Sequence, residues 1–238
     1  MALAWSRFAE EVARRKPLFW VRDDDAVAAT PALGRLLSLA QGNNVPLALA
    51  VVPDLAEPDL FTKLGAGVSV LQHGCDHRNR AAPGGKKTEF PAHEEISQAL
   101  ERLRLAHRRL VALGGSSVLP VVAPPWNRMR SELAAALPGI GIHGISSYGK
   151  EESIAGVVQV NTHVDIVAWR EGKRFVGDEE AVRLAMTYVL NDQPVGWLTH
   201  HAVHDADAWR FVERLFALRG ARWARASELF SYTRPAHG

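Results

Sequence analysis

One cysteine, Cys75, is all that the 238 residues contain. That excludes an intrachain disulfide and any site built on several thiolates, such as a zinc knuckle or an iron–sulfur cluster. A metal, if one is bound, has to rest on imidazole and carboxylate. Net charge is equally scarce: 28 Lys and Arg stand against 26 Asp and Glu, a balance of +2. A basic surface matched to a phosphate backbone is therefore missing, and no nucleic-acid partner is expected. No run approaches the roughly 18 apolar residues of a membrane span, so no membrane partner is expected either. Residues 1–11 reach acidic side chains without the apolar centre of a secretory signal, from which a cytoplasmic location is expected. Fixed-period repeats and shifts of composition are also lacking, which favours one domain over residues 1–238.

What is present is an ordinary folded composition, 47% hydrophobic and 23% charged. Residues 18–21 form a short apolar run rich in strand formers that is expected to stop at Arg22, Asp23, Asp24 and Asp25. Thr30 and Pro31 read as N-cap and first helical residue, with Leu33, Leu36, Leu37 and Ala40 at helical spacing up to Gly42. Continuous apolar stretches follow at 46–52, 68–71 and 118–123, with further strands expected at 156–160 and 195–199. Such runs suit parallel strands covered on both faces. Helices are expected over about 94–113, 179–190 and 209–218, and residues 83–87, with Lys86 and Lys87, read as a surface loop.

The polar residues with chemical potential fall at the C-terminal ends of these strands, the rim on which active sites of parallel α/β folds assemble. Aspartates follow the first strand and His73 and His77 the third, while Pro124, Pro125 and Trp126 follow the next and His200 and His201 a late one. A turn or short helix after residue 72 would bring His73 and His77 to one side. Two imidazoles and one carboxylate make an open site for a zinc-like ion. Strand alternation places Leu198 and His200 on one face and Trp197, Thr199 and His201 on the other.

The ordered set Asp24-Asp25, His73 with His77, Ala123-Pro124-Pro125-Trp126 and Leu198-Thr199-His200 resembles the successive motifs of the NodB-type polysaccharide deacetylases, carbohydrate esterase family 4, over about residues 18–200. The resemblance implies a distorted (β/α) barrel. It implies Asp25, His73 and His77 as metal ligands and Asp24 as general base. A register one residue earlier, with Asp23 as base and Asp24 as ligand, stays open, although an Arg-x-Asp-Asp pattern from Arg22 to Asp25 favours the later pair; the surplus aspartate reads as a loop cap. It implies His200 as general acid, Leu198 as a wall of an acetyl pocket, and Trp126 as oxyanion donor through its backbone N–H and substrate border through its ring. His163, Asp165 and Trp169 echo the Asp-and-Trp segment that supports the acid, with Asp165 on the substrate side.

Two positions depart from the pattern. Gly74 stands where Ser or Thr is usual, and Ala123 where an Arg usually pairs with the base, leaving Arg22 or Arg128 as possible substitutes. The implied cofactor is a divalent metal, zinc foremost, and the implied substrate an acetylated sugar or related small molecule cleaved by metal-assisted hydrolysis. A hydrolase of another non-peptide C–N bond and an inactive binding relative are the alternatives. Oligomeric state is not encoded in any motif. His93, His107 and His237 read as helix-surface or tail residues, and His204 and Asp205 as rim residues or a helix cap.

Overall fold

The computed structural model describes residues 2–231; His237 lies outside the described residues. In chain order the strands are β1 (Leu18–Ala26), β2 (Leu47–Val51), β3 (Val68–Gln72), β4 (Val118–Val122), β5 (Gly144–Ile145), β6 (Val158–Gln159), β7 (Val164–Asp165), β8 (Val167–Ala168), β9 (Arg174–Phe175), β10 (Val195–Thr199) and β11 (Arg222–Trp223). The helices are α1 (Ala2–Arg15), α2 (Pro31–Gly42), α3 (Pro58–Thr62), α4 (Ile96–Gly114), α5 (Ser131–Ala136), α6 (Asp178–Val189), α7 (Ala206–Phe216) and α8 (Ala226–Leu229). In space the main sheet runs β6-β5-β4-β3-β2-β1-β10-β7, all parallel, with β11 added to the start of β1.

The two ends of that order are one stretch of chain. Residues 158–165 pair with β5 at Val158 and with β10 at Asp165. Midway, Thr162 N donates to Ser147 O (3.0 Å) while His163 N donates to Gly196 O. The sheet thereby closes into a distorted barrel. Gly196 permits the closure, since a Cβ there would lie 2.6 Å from Asn161 O and 2.8 Å from Thr162 Cα.

Alternation along the strands sorts side chains inward and outward. Trp20, Ala48, Ala50, Leu71, Val121 and Ala123 pack in the interior together with Ala226 at the start of α8 and Phe230 just after it. Phe19, Val21, Leu47, Val195 and Trp197 face outward into a core shared with α1, α2, α6 and α7. Thr30 caps α2 by accepting from Leu33 N (3.1 Å) ahead of Pro31, as its sequence requires. Asp205 caps α7 in the same way. Among the described residues no helix is long and apolar enough to cross a membrane.

One expectation is corrected at β1, which does not stop at Val21 but continues to Ala26 with Arg22, Asp23 and Asp24 buried. Charges can enter a strand interior when each finds a partner there. Arg22 and Asp24 pair with each other, and Asp23 accepts from Thr199 Oγ1 (2.7 Å) and His201 N (2.9 Å). His107 is likewise not a surface residue: it is half-buried, with Nδ1 3.2 Å from Gln72 Oε1.

Candidate metal centre and active-site cleft

At the C-terminal rim β1 breaks its alternation. The register against β2 shifts between Asp23 and Ala26, and Asp25 takes a left-handed φ of 68°, the signature of a bulge that re-aims a side chain. As a result Asp24 and Asp25, although adjacent, both border the same cleft. Asp25 Oδ1 lies 3.0 Å from His73 Nε2 and 3.2 Å from His77 Nε2. The three donor atoms all fall within 4.8 Å of one another and could hold a metal ion. Tetrahedral ligands at ~2.0–2.1 Å from zinc sit about 3.3 Å apart, close to both carboxylate–imidazole spacings. Burial pushes Asp25 up, but the flanking His73 and His77 outweigh it and hold the carboxyl well below its ordinary value.

His73 is oriented from behind, because its Nδ1 lies 2.9 Å from Ala123 O. A proton on Nδ1 directed at that carbonyl leaves Nε2 free to act as a ligand. Of the turn or short helix that the spacing suggested, the loop between the two histidines is a turn and not a helix. It bends through left-handed conformations at Gly74 (φ 61°) and His77 (φ 56°), and a carboxylate holds the bend. Glu89, fully buried, accepts from Cys75 N (3.0 Å) and Asp76 N (3.1 Å), and Arg102 Nη1 approaches it at 3.3 Å. Burial pushes the Glu89 carboxyl above its ordinary value. A Cβ on residue 74 would overlap Glu89 Oε2 and come within 2.7 Å of the Pro125 ring. That explains why Gly stands here: the carboxylate occupies the space a Ser or Thr side chain would need. Sequence reading missed Glu89, whose only local sign is a lone acid after an exposed basic loop.

Asp24 is held by a two-point contact with Arg22, Nε to Oδ1 at 2.8 Å and Nη2 to Oδ2 at 2.9 Å. Arg22 also donates to Ser146 O (2.7 Å), Ser147 O (3.2 Å) and Asn127 Oδ1 (2.6 Å), tying β1 to the ends of β4 and β5. Arg22 is therefore the cation beside Asp24, while Arg128 donates to Lys87 O (2.9 Å) on the exposed rim. Ala123 points into the interior cluster and is fully buried.

His200 Nε2 stands 4.0 Å from Asp24 Oδ2, and its Nδ1 is buried without a hydrogen-bond partner in the protein. The Trp169 ring packs edge-on against its imidazole at 4.6 Å. Asp165 fixes that tryptophan by accepting from Trp169 Nε1 at 2.8 Å, and accepts from Val167 N at 2.9 Å. Burial raises the Asp165 carboxyl above its ordinary value. His201 points the other way, into a buried ion pair of Nδ1 with Asp23 Oδ1. Burial pushes Asp23 up and His201 down, yet each partner's charge outweighs it, leaving Asp23 below and His201 above their ordinary values.

Trp126 sits in a left-handed turn (φ 56°) with its ring 4.5 Å from that of His77. Of the residues expected at the site, Asp24, Asp25, His73, His77, Trp126, Asp165 and His200 border one cleft of about 930 Å³. Leu198 does not border it: lying inward, one residue before the end of β10, it is completely buried. His163 is also elsewhere, stacked on Tyr188 with Nδ1 accepting from Gly196 N. Lys87, Tyr148, Arg170 and Lys173 line the cleft without having been anticipated.

No family model and no curated protein matches the sequence. Solved structures are similar in fold. A family 4 carbohydrate esterase from Streptomyces lividans, solved with acetate, superposes with a TM-score of 0.57 at 14% identity over 87% of this chain and 91% of that one. A family 4 acetyl xylan esterase from Clostridium thermocellum, solved with a cobalt ion, gives 0.56 at 15% identity over 90% of each chain. For a peptidoglycan deacetylase from Bacillus subtilis the values are 0.57, 13% and 90% of each chain. With sequence identity this low, backbone architecture is what is shared, and this closed parallel barrel has the fold of the polysaccharide deacetylases of carbohydrate esterase family 4.

Proposed function

We propose that the protein is a metal-dependent deacetylase that removes an N-acetyl or O-acetyl group from a carbohydrate or related small molecule. The observation that carries this reading is the convergence of Asp25, His73 and His77 on one point with Asp24 and His200 beside it. The likeness in fold to family 4 esterases and deacetylases supports it.

Asp25, His73 and His77 would hold the ion. A divalent cation there, zinc being the first candidate, supplies Lewis acidity toward a carbonyl oxygen and toward water. Asp24 is the proposed base. Arg22 keeps both of its carboxylate oxygens oriented, which answers the missing Arg at position 123. His200 is the proposed acid, delivering a proton to the departing amine or alcohol from a ring clamped by Trp169. The Trp126 backbone N–H is the proposed oxyanion donor. Trp126, Tyr148 and Trp169 offer flat apolar faces along the cleft, and the last two are 42% and 41% exposed. Such faces suit the C–H side of a sugar ring.

The test is acetate release from a panel of N- and O-acetylated mono- and oligosaccharides and small acetamides, measured after reconstitution with zinc, cobalt or manganese. Release that depends on the metal and disappears in Asp24→Asn supports the reading. Cleavage of acetamides without any sugar preference would favour a non-carbohydrate C–N hydrolase. Stoichiometric metal binding with no release from any member would favour an inactive binding relative.

A further inference from the structure

Four cations edge the cleft: Lys87 from the loop between β3 and α4, Arg128 from the loop between β4 and α5, and Arg170 and Lys173 from the turn between β8 and β9. All four are exposed, and among the described residues none has a carboxylate within 4 Å; what sets them apart from other unpaired surface cations is that they border one cleft. The cleft's own acids do not answer them. Asp24 is matched by Arg22, Asp25 by two imidazoles, and Asp165 by Trp169 and Val167 N–H. Together with Arg22 the four cations face three carboxylates, Asp24, Asp25 and Asp165, so the formal excess at this cleft is +2, equal to the net charge of the whole chain. Charge of one sign gathered around a concave site focuses the field on whatever enters it. Guanidinium forks suit the planar oxygens of carboxylate and phosphate.

We propose that the substrate carries an anionic group, a carboxylate or a phosphate, in addition to its acetyl group, and that Lys87, Arg128, Arg170 and Lys173 select for it. This rests on the cleft being the acetyl-binding site proposed above. A concave, aromatic-walled cleft favours a small anionic sugar over a polyanionic chain, which would need a stripe of cations outside it.

The experiment is calorimetric binding to the zinc-loaded protein of three sugars differing only at C6: N-acetylglucosamine, its 6-phosphate and its 6-carboxylate. The anionic members are expected to bind about 10-fold more tightly than the neutral one near 0.05 M salt, and the gap is expected to shrink toward ~0.5 M as rim charges are screened. A gap for the phosphate alone or the carboxylate alone identifies the group selected. Arg170→Gln with Lys173→Gln, or Lys87→Gln with Arg128→Gln, should narrow the gap. Equal binding of all three sugars, no binding of either anionic sugar, or a gap undiminished in both double variants would overturn the proposal. Acetate release is measured in parallel. A charge preference without release refutes deacetylation and leaves the anion site standing, whereas release that ignores charge does the reverse.

Discussion

Arg22 and Asp24, two residues apart on the inward face of β1, grip each other at two points where almost no solvent reaches. A buried pair of this kind is costly to break from one side, because the survivor is left charged and unpartnered. Arg22→Met is therefore expected to destabilise the fold by about 3–5 kcal/mol, read as a fall in urea midpoint at unchanged slope. Retention of full stability would mean that Asp24 has a second partner.

Metal binding and proton transfer separate by position. Asp25→Asn, His73→Ala and His77→Ala are each expected to lose stoichiometric zinc in elemental analysis while the circular dichroism spectrum is kept, since the three sit on a rim. Asp24→Asn and His200→Ala should keep the metal, with kcat lower by roughly 10²–10⁴ in the His200 variant. Loss of zinc in Asp24→Asn, with retention in Asp25→Asn, would make Asp24 a ligand and overturn both assignments, since Asp23 faces His201 and does not border the cleft.

Glu89 should matter to the metal although it touches no proposed ligand. Glu89→Ala frees the N–H groups of Cys75 and Asp76, and a loosened loop between His73 and His77 is expected to weaken zinc about 10–100-fold in a chelator competition. Gly74→Ser should weaken it too, because the new side chain meets Glu89 and Pro125. Unchanged affinity in both variants would show that the loop is held by other means.

The Asp23–His201 pair links stability to pH. Asp23 is depressed, so its contribution is present above the ordinary carboxylate value of about 4 and is lost as pH falls through its lowered pKa. His201 is raised, so its contribution is complete below the ordinary imidazole value of about 6.5 and is lost as pH climbs through its raised pKa. The stability gap between the wild type and Asp23→Asn should thus be widest between about pH 4 and pH 6.5 and shrink on both sides. A gap flat from pH 4 to pH 9 would contradict the ion pair.

How much of this was legible in the sequence depended on range. Period-two alternation sufficed to turn His200 into the cleft and His201 away from it. The capped start of α2 and the apolar strands that end in polar residues were equally local. The continuation of β1 through Arg22 and Asp23 was not legible, because the partners that make it tolerable lie 124 and 176 residues downstream. Nor was the re-aiming of Asp25, which comes from a bulge and a left-handed φ that no residue type at that position announces. Glu89 went unseen for a related reason: what it orders is the backbone at Cys75 and Asp76, and backbone leaves no trace in composition.

The closing stretch at residues 158–165 bears on how the protein meets its neighbours. Since it hydrogen-bonds to β5 on one flank and β10 on the other, strands β1 to β4 and β10 are each paired on both sides. The long strands thus offer no open edge on which a second chain could template an extra strand, the usual route to aggregation in sheet proteins. Only displacement of that whole stretch would uncover the flanks of β5 and β10 together.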